Sequence, residues 1–170
     1  MFGSQLNARR EATILLMEEV NFIEDYLNLE KARFGDRLQV EIDIPAEVQN
    51  ARIPPMLLQP MVENAVQHGI SPKLDGGQLR ISAGRIDDQL QLEVYDSGVG
   101  IDPDKLANSD GFGLENTRRR LHLLFQRDLI IQQPEAGGTL IIIEIPFQDA
   151  PKNTINRRRS ARPQTAAGVS

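Results

Sequence analysis

Two alternating runs set the tightest limit on what this chain can fold into. Leu79, Ile81 and Ala83, and then Leu90, Leu92 and Val94, recur at every second position on either side of Asp87-Asp88. Successive strand side chains point to opposite faces, so this period predicts an antiparallel hairpin with one apolar face. Such a face needs a covering layer. Ile14, Leu15, Val20, Ile23, Leu27 and Leu29 recur at roughly helical intervals and predict an amphipathic helix over residues 11–34, ended by Gly35-Asp36.

Three further segments extend both layers. Leu38, Val40, Ile42 and Ile44 alternate with Gln39, Glu41 and Asp43, which predicts a strand over 38–44 closed by Pro45. Pro54-Pro55 stands ahead of a helix over 56–68, where a proline near the first turn removes only an N–H that would be unpaired, and Gly69 supplies the stop. A last helix over 114–125 precedes strands over 129–132 and 139–145, joined by the turn at 134–138. Long helices interleaved with mostly hairpin-joined strands imply an α+β protein, a two-layer sandwich with helices on one face of the sheet.

Composition narrows the function classes. A chain of 170 residues suits one domain, and a net charge of −5 lacks the basic footprint that binding to nucleic acid requires. The absence of cysteine removes disulfides, thiolate metal sites and cysteine nucleophiles, and fits a reducing, cytoplasmic compartment. No run approaches the ~20 apolar residues of a membrane helix. After Pro146 the apolar pattern gives way to Arg157-Arg158-Arg159, Pro163 and small polar residues, so residues 148–170 are expected to be a disordered tail.

Chemistry is concentrated in three stretches, each of which also has a plainer reading. In Gln59-Pro60-Met61-Val62-Glu63-Asn64-Ala65-Val66-Gln67-His68-Gly69, helical spacing presents Asn64 and His68 on one face. The Asn64 amide oxygen is a hard ligand suited to Mg²⁺; alternatively Asn64 satisfies nearby backbone and His68 caps the helix end. In Asp96-Ser97-Gly98-Val99-Gly100 a carboxylate at a strand end can accept from the exocyclic amine of adenine, where guanine offers an acceptor, or the segment is an ordinary Asp-Gly turn. In Asp110-Gly111-Phe112-Gly113-Leu114-Glu115-Asn116-Thr117-Arg118 glycines lead into a helix whose first N–H groups favour phosphate, or they cap a surface helix. Neither a Walker A loop nor a dinucleotide fingerprint is present.

Taken together, the order and spacing of the three stretches resemble the N, G1 and G2 boxes of the GHKL ATPases and kinases. Gly137-Gly138-Thr139, ahead of Ile145-Pro146, resembles the last signature of the same group. The run from Glu24-Asp25-Tyr26-Leu27 through Arg33-Phe34-Gly35-Asp36-Arg37-Leu38, with Leu58-Gln59-Pro60, is similar to the LytS-type sensor histidine kinases. The resemblance covers residues 18–147. It implies the Bergerat fold, a two-layer α/β sandwich on a mixed, largely antiparallel sheet. It also implies ATP and Mg²⁺ as cofactors, with Asn64 and His68 in the catalytic motif and Asn64 holding the metal. Asp96 would receive the adenine amine, Thr139 would join the hydrogen-bond network around adenine, Gly98 and Gly100 would shape the pocket floor, Leu114 would be among the nucleotide-binding residues, and Gly111 and Gly113 would meet the phosphates across a short lid at 101–110.

The same resemblance divides the chain. Residues 1–36 would be a helix leading from a dimerisation and phosphoacceptor segment outside this sequence, and 37–147 the ATP-binding catalytic domain. The whole protein would be a homodimer tethered to the inner membrane that passes the γ-phosphate to a histidine on an upstream helix of the same or a paired subunit, and then to a response regulator. Two positions depart from the pattern. Gln67 stands where many relatives have a lysine, leaving charge assistance to Arg118, Arg119 or Arg120. Pro60 stands where ATP-hydrolysing members have a glutamate base, and Glu63 points about 100° away from Asn64 around a helix. An ATP-hydrolysing clamp is therefore disfavoured, and a nucleotide-sensing module without transfer activity is the other alternative. Of the two histidines, His68 falls in the nucleotide motif, and His122 lies among apolar residues and reads as a packed or partly exposed structural residue.

Overall fold

The computed structural model describes residues 12–101 and 112–150. Its elements are β1 (Ile14–Leu15), α1 (Leu16–Phe34), β2 (Leu38–Asp43), β3 (Arg52–Ile53), α2 (Gln59–Asn64), β4 (Gly77–Ile86), β5 (Gln89–Asp96), α3 (Phe112–Phe125), β6 (Ile130–Gln132) and β7 (Thr139–Pro146). A 3-10 turn (Gly35–Arg37) follows α1, and a π-helical turn (Ala65–Ile70) continues α2.

The main sheet has five strands in the order β2-β4-β5-β7-β6. Only β2 and β4 run parallel; the other pairs are antiparallel. The hairpin expected from the alternating runs is β4–β5, closed after the Ile86–Gln89 pair by Asp87-Asp88. Asp87 has φ +53°, a left-handed conformation that aspartate tolerates in tight hairpin turns. Register then stacks the apolar positions across three strands: Ile81, Val94 and Ile141 form one row, and Ala83, Leu92 and Ile143 the next. All six are buried.

The helices cover that face, giving the two-layer α+β sandwich on a mixed, largely antiparallel sheet. Leu16, Val20, Ile23 and Leu27 of α1, Met61 and Val62 of α2 and Leu121 of α3 join the sheet residues in one core. Burying side chains of this size is worth about 1.5–3 kcal/mol each.

The structure corrects four local expectations. Helix α1 starts at Leu16, because Ile14 and Leu15 pair with Ile53 and Arg52 in a second, two-stranded sheet. Leu29, read as part of the apolar stripe, is 74% exposed, and the buried stripe instead includes Glu19. Helix α2 starts at Gln59, since Met56 has φ +60° and breaks the helical path after Pro54-Pro55; the proline in its first turn is Pro60. Residues 148–150, assigned to the tail from sequence, are paired: Arg52 N–H donates to Gln148 O at 2.7 Å and Ala150 N–H to Asn50 O at 3.2 Å.

Candidate nucleotide-binding site

Asp96 is the last residue of β5, and the strand period that buries Leu90, Leu92 and Val94 carries it onto the same face. It lies between Leu79 of β4 and Thr139 of β7 in the cross-strand register, and is 4% exposed. A carboxylate thus occupies a position where the alternation calls for an apolar side chain. Its Oδ1 accepts the Gly98 N–H at 2.9 Å, and a carboxylate retains acceptor capacity beyond that bond. Burial pushes its pKa up to about 6, opposed by the Gly98 N–H and the charge of Lys73. Lys73 is tied in place by its Nζ, which donates to Ser97 O at 2.8 Å.

Glycines make this crowding possible. A Cβ on Gly69 would lie 2.7 Å from the Asp96 Cγ, and one on Gly98 would strike the backbone carbonyl of Gly69. Gly69 therefore does more than end a helix: it lets the π-helical turn press onto Asp96, and its carbonyl accepts the Val99 N–H at 2.9 Å. Gly138, with φ +83°, closes on the Asp96 backbone in the same way from the turn before β7. Gly98 serves close approach, whereas Gly100 serves conformation, with φ +81°. Beyond Gly100, the Gln133 side-chain amide donates to Ile101 O.

The helix carrying Asn64 is not a uniform α-helix. Asn64 is its last α-helical residue, half-buried, and the next turn loosens to π geometry, as the Ser71 N–H bonding back to Val66 O at 2.9 Å shows. Single π turns of this kind are frequent at functional sites. His68 is exposed within that turn. Glu63, read from sequence as turned away from Asn64, accepts a hydrogen bond from Gln59 Nε2 at 3.0 Å.

On the far side, α3 starts two residues earlier than its apolar pattern suggests, so Gly113 lies inside its first turn, where a Cβ would sit 3.4 Å from the Pro60 Cβ. Thr117 Oγ1 donates to Gly113 O at 2.9 Å, and half-buried Leu114 packs on the core. His122 is exposed on this helix. Thr139, opposite Asp96, is 1% exposed. Gly111 and most of the 101–110 segment lie outside the described residues.

The structure thus gathers Asp96, Gly98, Gly100 and Thr139 at one end of the sheet, with the turn bearing His68 packed over Asp96 and the start of α3 against the start of α2. Sequence reasoning missed the contact role of Gly69, because its approach to Asp96 joins positions 27 residues apart and has no local signature. Lys73 was missed because a single lysine in a loop carries no period.

Residues 51–149 match the family model described as histidine kinase-, DNA gyrase B-, and HSP90-like ATPase. The chain belongs to this family. Sensor histidine kinase BtsS of Escherichia coli strain K12 is 38% identical over 139 residues, 80% of this chain and 24% of BtsS. The sensor protein LytS of Enterococcus faecalis is 30% identical over 159 residues, 86% of this chain and 27% of LytS. This chain therefore spans about a quarter of the length of those relatives. A crystal structure of histidine kinase ThkA in complex with response regulator TrrA shares the fold, with a TM-score of 0.60 at 15% identity, over 81% of this chain and 42% of ThkA. The GHKL domain described here is thus a nucleotide-binding domain of the sensor histidine kinase kind. Among its described residues no helix is long and apolar enough to cross a membrane.

Proposed function

We propose that this chain is the ATP-binding catalytic domain of a two-component sensor histidine kinase, and that the whole protein transfers the ATP γ-phosphate to a histidine outside residues 1–170. The observation that carries the reading is the buried Asp96 carboxylate, held rigidly among Gly69, Gly98 and Gly138 beside Thr139. An acceptor fixed at the end of a sheet recognises an exocyclic amine and repels a carbonyl oxygen, which selects adenine over guanine. Gly113, in the first turn of α3, keeps the backbone N–H groups there accessible to phosphate.

The donor set suits Mg²⁺. This ion keeps several waters and binds through one or two protein oxygens plus phosphates, so the single half-buried Asn64 amide meets its needs without a carboxylate cage. Asn64 would hold the ion, which when bound offsets charge on the phosphate oxygens. His68, in the π turn that follows, would belong to the same motif. The protein's own contribution is positioning and electrostatics, as in other phosphoryl transfers. Pro60, in the first turn of α2, offers no base for hydrolysis. The sensor kinase names of the relatives, and the complex of ThkA with a response regulator, support a response regulator as downstream partner. A homodimer as the working form, and a cytoplasmic domain of a membrane-tethered protein, are part of the same proposal and rest on the resemblance to LytS-type kinases alone.

Calorimetry with ATP, ADP and GTP tests the reading. Adenine nucleotides are expected to bind in clear preference to GTP, and Asp96→Asn to cost about 1.5–3 kcal/mol by weakening a charge-assisted bond. Equal affinities for ATP and GTP, or an unaffected Asp96→Asn variant, would sink it.

A further inference from the structure

Glu19 is a buried carboxylate that the nucleotide chemistry does not use. It projects from the core-facing stripe of α1, is 2% exposed, and its Oε1 accepts the N–H groups of Leu58 at 2.8 Å and Gln59 at 3.1 Å. These donors belong to the N-cap residue Leu58 and the first residue of α2, where N–H groups have no partner within the helix. No residue of α2 or its approach performs this capping; the acceptor comes from another helix, about forty positions away. Arg120 of α3 completes the junction: its Nη1 donates to Met56 O at 3.2 Å, holding the left-handed residue just before α2, and its charge favours ionised Glu19. Burial works the other way and raises the Glu19 pKa.

The helical segment from Gln59 to Ile70 therefore has two anchors. One is Glu19 at its start. The other is Gly69, whose carbonyl binds the Val99 N–H beside Asp96. Asn64 lies between them. We propose that Glu19 is a positioning residue for the nucleotide site: from α1 it sets the start of α2, and so the placement of Asn64 relative to the adenine end fixed by Asp96. The same contact makes the seating of α1 a determinant of metal-assisted nucleotide binding, so a shift of α1 is transmitted to Asn64 through one carboxylate. This inference rests on the nucleotide reading above.

The test compares ATP affinity with and without Mg²⁺ for the unaltered chain, Glu19→Ala and Glu19→Gln. Removing the anchor should lower Mg-ATP affinity about tenfold, the lower end of what loss of an outer-shell support costs a metal site. Metal-free ATP binding, which depends on Asp96, should change far less. Glu19→Gln keeps one acceptor oxygen and the side-chain shape, and should recover most of the Mg-dependent loss while remaining folded. Unchanged Mg-ATP affinity in folded Glu19→Ala would overturn the proposal, as would an equal loss with and without Mg²⁺ in the glutamine variant. If the unaltered chain shows no Asp96-dependent binding of ATP at all, the nucleotide reading falls and this proposal with it.

Discussion

On the proposed reading, Asp96 couples nucleotide recognition to stability through one proton. Its folded pKa is about 6 against a usual value of 3.8, so between those pH values the native protein holds a proton that the unfolded chain has released. Stability from this group is thus fully present below the lower value and is lost as pH rises through the upper one. The difference amounts to about 3 kcal/mol between full protonation and full ionisation. On the proposed reading nucleotide binding runs the opposite way, because the amine of adenine would be best received by the ionised form. Urea unfolding of Asp96→Asn should accordingly show greater stability than the unaltered chain above about pH 7, with the gap closing towards pH 4. ATP affinity of the unaltered chain should fall below about pH 6 relative to that variant, which cancels titration of the nucleotide itself. Parallel stability curves across this range would mean that the buried carboxyl does not carry the cost assigned to it.

Elements with a long period were legible, and those fixed by a single contact were not. The rows Ile81, Val94, Ile141 and Ala83, Leu92, Ile143 follow from alternation alone, as does the body of α1 around Val20, Ile23 and Leu27. Strands β1 and β3 are two residues each and have no period to read. The start of α2 depends on Glu19, and its π turn on Gly69 pressing against Asp96, so neither boundary is written in the local propensities. At the site, the motif residues Asn64, Asp96, Gly98 and Thr139 were legible as types at spacings, whereas Lys73 and Glu19 become meaningful only once three elements converge. The placement of Asn64 at the α-to-π junction leads to a separable prediction. Because its proposed contact is with the ion, Asn64→Ala should weaken Mg-ATP about tenfold or more and leave metal-free nucleotide nearly unchanged. Titrations showing the same loss with and without Mg²⁺ would make Asn64 a structural residue of that junction.

At the scale of the molecule, the question is where a phosphoryl group could go. The 170 residues contain two histidines, and both are exposed: His68 in the π turn of the proposed nucleotide site, and His122 on α3. Of the two structural readings of His122, packed or partly exposed, the structure excludes packing: the side chain is exposed, as is Leu123 beside it at 70%. Transfer needs the acceptor within reach of the γ-phosphate in near-attack geometry, since proximity supplies most of the acceleration. On the proposed reading His68 serves the nucleotide motif and His122 projects from a helix flank. This chain alone should therefore bind ATP and remain unlabelled by radioactive γ-phosphate. Supplying a helical segment that bears the acceptor histidine, fused ahead of α1 or added in trans, should produce labelling that is lost in acid, as a phosphoramidate is. His122→Ala should leave both results unchanged. Stable labelling of the chain alone that disappears in His122→Ala would make that residue the acceptor. Silence of the fused protein despite tight ATP binding would instead favour a module that signals through nucleotide occupancy, with α1 as the element that reads it.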